Sequence, residues 1–119
     1  MKLPEELTRR LEELGSLPNG WCGEHSIPPS HVTIGTAKKV IEKIGVIPDI
    51  DDITATPYGS IVLDYYSGKD NTDLVSVEAG NEMIGYFTDF SDGRANYAHD
   101  GFYIDNKLVL DFLCSLVKT

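Results

Sequence analysis

Apolar residues along this chain follow two different rhythms, one in each half. Leu3, Leu7, Leu11 and Leu14 recur at helical spacing, with Pro4, Glu5 and Glu6 at the start and Gly15 at the end. This predicts an amphipathic helix over 4–14. Ser30 is placed to cap a second helix, whose stripe of Ile34, Ala37, Val40, Ile41 and Ile44 stops at Gly45. Its other face carries Lys38, Lys39 and Lys43. Between the helices, 16–29 is a loop of turn formers, Pro18-Asn19-Gly20 and Pro28-Pro29. Leu17, Trp21 and Ile27 are its apolar anchors, and Trp21 is expected to pin the loop by burial against the helix pair.

After Pro48 the period falls to two. Ile53 to Thr56 begin a strand, Pro57-Tyr58-Gly59-Ser60 turns the chain, and Ile61, Leu63 and Tyr65 alternate with Val62, Asp64 and Tyr66. A turn at 67–71 leads to a strand with Val75 and Val77 inward and Ser76 and Glu78 outward, and Gly80-Asn81 turns into a strand over 82–90. The pattern predicts an α+β fold: two N-terminal helices, a four-stranded antiparallel β-meander with one face covered and one in water, and a C-terminal helix. Asp105 or Asn106 would cap that helix, with Val109, Phe112, Leu113 and Leu116 on one side; a strand through Lys107–Phe112 is the competing reading. In 91–103, Asp92-Gly93 and Asp100-Gly101 signal turns, and Tyr97, Phe102 and Tyr103 fit either a short strand or a packed loop.

Composition sets the scale of the problem. The 119 residues are 41% apolar and 24% charged, an ordinary globular mixture sized for one domain spanning 1–119. Such a chain buries about two-thirds of its unfolded surface, enough for a core without metal or disulfide staples. Met1 to Glu6 lack the basic start and apolar run of a signal peptide, and no apolar stretch is long enough to span a bilayer, so a cytoplasmic location is expected. Cys22 and Cys114 are then expected to be reduced thiols.

Charge adds what the apolar pattern does not show. Residues 1–48 balance six acids with six Lys and Arg, whereas residues 49–119 carry thirteen acids against four, which together give the net −9. The excess therefore lies on the predicted sheet. It repels nucleic-acid backbone and anionic membrane, and attracts a basic protein surface by long-range steering.

Candidate chemistry is sparse. Trp21-Cys22-Gly23 is similar to the start of a thioredoxin active site, yet His25 stands where the second cysteine would be and no strand precedes the string, which argues against dithiol redox chemistry. Cys22, His25 and His31 offer three metal ligands, with Cys114 a fourth if the last element folds back over the loop. They lack the paired second half of a structural zinc site, so neither a metal nor another cofactor is expected. Asp89, Asp92 and Asp100 lack the spacing of a calcium loop. His25, His31 and His99 are candidate bases, and Cys22, Ser26 and Ser30 candidate nucleophiles, but no segment reads as a nucleophile elbow or phosphate loop.

Two strings carry a resemblance. Leu17-Pro18-Asn19-Gly20-Trp21 followed by Gly23, and Thr56-Pro57-Tyr58-Gly59-Ser60-Ile61-Val62-Leu63-Asp64-Tyr65, resemble a group of small uncharacterised bacterial proteins whose strings read L-P-x-x-W-D-G-x-G and P-T-P-D-G-G-x-x-L-E-W. The resemblance covers about residues 3–90. It implies structural roles for Trp21, Gly23, Pro57, Gly59, Leu63 and Tyr65, and it supplies no activity. Cys22 stands where the group often has Asp and His25 lies outside the shared pattern, so the resemblance supports neither redox nor zinc chemistry.

The sequence therefore points to a non-catalytic interaction module of the physical kind found among inhibitors, immunity proteins and antitoxins. Its binding residues would be Asp64, Tyr66, Glu78 and Tyr86 on the exposed sheet face, with Asp89, Asp92 and His99 from the 89–103 loop. The expected partner is another protein, one with a basic surface. The alternative is a small enzyme or ligand-binding protein with its site in the 19–31 loop, built on Cys22, His25 and His31.

Overall fold

Among the described residues, three α-helices cover one face of a five-stranded antiparallel sheet, and the other face is bare. The computed structural model describes residues 2–118. Helix α1 spans Glu5–Gly15 and buries Leu7, Leu11 and Leu14, as the leucine spacing predicts. Helix α2 spans His31–Ile44. The Ser30 side chain accepts a hydrogen bond from the Thr33 N–H, satisfying one of the free donors of the first turn. Its buried stripe includes Thr33 and Thr36 beside Ala37, Val40, Ile41 and Ile44. Thr36 is tolerated there because its hydroxyl donates to the Val32 carbonyl and accepts from the Glu82 N–H, which ties the helix to a sheet turn.

The strands are β1 (Ile53–Ala55), β2 (Ile61–Ser67), β3 (Asp73–Ala79), β4 (Met83–Asp89) and β5 (Ala98–Tyr103), paired in that order. Helix α3 (Lys107–Val117) follows β5. The strand reading of 107–112 gives way to helix because Asn106 caps it, accepting from the Val109 N–H. Its buried residues are Leu110 and Leu113, while Val109, Leu116 and Val117 pack at the margin of the core.

The meander has one strand more than the pattern predicts. Residues 98–103 form β5, and a shift in pairing between Ile84–Phe102 and Tyr86–His99 leaves a bulge at Asp100 and Gly101, opposite Gly85. Gly85 is required there. A Cβ at that position would lie 2.9 Å from the Asp100 Cβ and 3.2 Å from its Cα.

The core lies between the layers. Ile53, Ile61, Leu63, Val77 and Ala79 from the sheet and Leu7, Leu11, Val40, Ile41, Ile44 and Leu113 from the helices are sealed from solvent. Tyr65 joins them with its hydroxyl donating to the Val46 carbonyl at 2.9 Å, and burial pushes that hydroxyl's pKa above the ordinary tyrosine range. The raised value favours the neutral form in the folded protein. Above the unfolded-state pKa near 10, the unfolded chain releases this proton first, so stability is intact below that pH and falls above it by about 1.4 kcal/mol per unit. Tyr65→Phe is expected to cost about 1 kcal/mol at neutral pH, through the lost donor to Val46, and to flatten the alkaline decline. Urea titrations at pH 7 and at pH 10–11 check this; equal alkaline slopes in both proteins would refute it.

Candidate protein-binding face

The strands hold five carboxylates, those of Asp64, Asp73, Glu78, Asp89 and Asp100, and no lysine or arginine. Strand pairing decides which of them face outward. Rows run Val62–Glu78–Gly85, Asp64–Ser76–Phe87 and Tyr66–Leu74–Asp89, and Ala98 extends the middle row beside Phe87. Ser76 apart, which its row neighbours bury, these positions alternate with the buried ones, and all share the face that no helix covers. Asp64, Glu78 and Asp89 stand among Val62, Tyr66, Leu74 and Phe87, with Tyr66 46% and Phe87 47% exposed. The face thus combines apolar and aromatic area with carboxylates, and the strand residues contribute no lysine or arginine to it.

Four of the expected binding residues, Asp64, Tyr66, Glu78 and Asp89, meet on this face. Glu78 is held in place by a short hydrogen bond from the Ser60 hydroxyl, itself bonded to Thr56 Oγ1 at 2.6 Å. Tyr86 does not join them. It pairs with Val77 and points to the helix side, because the two-residue turn at Asn81-Glu82 matches odd positions of β3 with even positions of β4. There Tyr86 packs beside Phe102, Phe112 and His99, with ring centroids 5.8–6.1 Å apart. Partial burial, then the neighbouring Tyr97 phenol, hold its pKa above the ordinary range. His99 follows it to that side, at the open edge of β5.

Asp92 is engaged locally. Both its carboxylate oxygens accept from Arg94 Nε, at 2.9 and 2.8 Å, and these bonds hold its pKa below the usual carboxylate range. Arg94 also reaches Asp73 at 3.3 Å and lies 3.9 Å over the Phe90 ring, so Asp92 helps to fasten the 90–97 loop. Strand parity could have found Phe87, Val62 and Leu74. Asp100 reaches this face only through the bulge, which nothing in the sequence announces.

At the β1 end of the sheet, Asp49, Asp51, Asp52 and Asp64 gather. Partial burial, then Asp49, Asp64 and Asp51, raise the Asp52 pKa above the ordinary carboxylate value. Asp49, Asp52 and Asp64 border a notch of about 150 Å³ beside Tyr65 and Tyr66. Like charges this close repel, and together they concentrate negative potential at this corner of the sheet.

The alternative site does not assemble in the same way. Cys22 is exposed, its N–H donating to Ser26 Oγ at 3.0 Å, and His25 projects from a positive-φ turn with its side chain 89% exposed. His31 is exposed at the start of α2. Cys114 donates to the Ile44 carbonyl at the far end of the same 14-residue helix, roughly 20 Å along it, so α3 does not fold back over the loop. Among the described residues no three His, Cys, Asp or Glu side chains are grouped to hold one metal ion. Trp21 is half-buried and lies outside the core; its Nε1–H donates to the Ile27 carbonyl at 3.0 Å, so it pins the loop by a hydrogen bond. Ile27 in turn bridges to Tyr58, and its side chain lies 3.1 Å from where a Cβ of Gly59 would be, so the loop and the 57–60 turn are joined.

Set against known proteins, the chain matches no family profile, no curated sequence and no solved structure. Among the described residues no helix is long and apolar enough to cross a membrane.

Proposed function

We propose that this protein is a non-catalytic interaction module that docks a basic protein surface onto the bare face of its sheet. The observation that carries the reading is the pairing of an uncovered sheet face with strands that contain carboxylates and no Lys or Arg. Its helical layer is close to charge balance, with Lys38, Lys39 and Lys43 on α2 and Arg9 and Arg10 on α1, so the molecule is electrically two-sided. A basic partner is turned toward the sheet before contact, and Tyr66, Leu74 and Phe87 supply the apolar area that holds it.

The triple variant D64N/E78Q/D89N tests this. It is expected to fold with an unchanged or higher melting temperature, because mutual repulsion is relieved. Proteins of the native host retained by the immobilised wild-type chain should be depleted on the variant. Their association with wild type should be on the order of tenfold faster at low ionic strength, the two rates converging at high salt. Equal retention and equal rates at low salt would remove the reading.

A further inference from the structure

The bulge at Asp100 does more than end a pairing. With Gly85 lacking a side chain beneath it, the outer face opens into a depression of about 380 Å³, lined among others by Val62, Glu78, Gly85, Phe87 and Asp100. A second hollow of about 340 Å³ adjoins it through the same Glu78, Gly85 and Asp100, running toward Ser60 and Gly101. The depression is amphipathic in a particular way: an exposed aromatic ring and an aliphatic side chain, with two carboxylates. Glu78 is oriented by the Ser60 hydroxyl, and no strand residue offers a competing cation.

We propose that this depression is the anchor pocket of the docking face, and that it takes one arginine side chain of the partner. The inference rests on the docking reading above. An arginine stem lies against Val62, its planar guanidinium covers the Phe87 ring, and its N–H groups reach Glu78 and Asp100. A lysine carries the same charge without the flat, weakly hydrated head that stacks on an aromatic face, so arginine is preferred. A single pocketed arginine surrounded by weaker contacts is the usual anatomy of an interface centre.

Backbone amide NMR of the full chain, titrated with N-acetyl-arginine amide and separately with N-acetyl-lysine amide, tests the assignment. Arginine amide is expected to bind saturably in the millimolar range, moving the Gly85, Phe87 and Asp100 amides most, with lysine amide several-fold weaker. Phe87→Ala and Asp100→Asn should each weaken arginine amide at least fivefold while Phe87→Tyr retains it. Phe87 is half exposed, so the fold should survive, and the variant spectra report that directly. Shifts spread evenly over Asp64 and Asp89, equal response to both amides, or indifference to Phe87→Ala would overturn the pocket. If a captured partner still discriminates the D64N/E78Q/D89N variant but ignores Phe87→Ala, the docking face stands and the arginine anchor falls.

Discussion

Leu63→Ala is expected to destabilise the domain by about 2–5 kcal/mol, the range for a leucine truncated in a core that relaxes only in part. Leu63 is fully buried in β2, opposite Ile53 on one side and Val77 on the other, both also sealed from solvent. A domain of this kind holds about 5–15 kcal/mol in total, so the loss takes a large share of it. Its neighbour is the control. Val62 is next in sequence but on the bare face, and Val62→Ala should cost under about 1 kcal/mol. Urea midpoints at constant slope measure both. Similar losses at the two positions would mean that the assignment of inner and outer faces is wrong.

Gly68→Ala should have the next largest effect, by a different route. Gly68 sits at φ 80°, ψ −179°, a backbone region closed to residues with a side chain, and the conformation alone costs about 1–3 kcal/mol. The new Cβ would also lie 2.5 Å from Asp73 Oδ2. That carboxylate is nearly buried and accepts from the Ser91 N–H and hydroxyl, each at 2.9 Å, and from Arg94. Displacing it loosens the loop that Asp92, Arg94 and Phe90 fasten. The expected signature is a lowered urea midpoint together with faster amide exchange at Ser91 and earlier proteolysis within 91–97. An unchanged midpoint would show that the turn does not hold this backbone.

The helices and the first four strands are legible in the chain because their burial is regular. Leucines at helical spacing, Ser30 before α2 and the alternation through Ile61, Leu63 and Tyr65 each state one face. Strand β5 states none: of Ala98–Tyr103 only Phe102 is even partly buried, and the segment is held by backbone pairing around a bulge. Trp21 misleads for a related reason, since an indole reads as core, whereas here it serves through its N–H. The charge of the bare sheet face is plain from sequence because it depends on composition alone. Its membership is not, because the side that Tyr86 takes depends on the parity of one turn, and the position of Asp100 on an extra residue in the ladder.

The bulge and the brevity of β1 have a further consequence for how the sheet behaves in a crowded solution. An unprotected rim of hydrogen-bonding groups invites other chains to add to it and seeds aggregation. Here one rim is a three-residue strand and the other is interrupted at Asp100-Gly101, with a carboxylate at the break. Neither offers a long straight template. The protein can thus leave a broad sheet surface uncovered and still resist stacking edge to edge with its own copies.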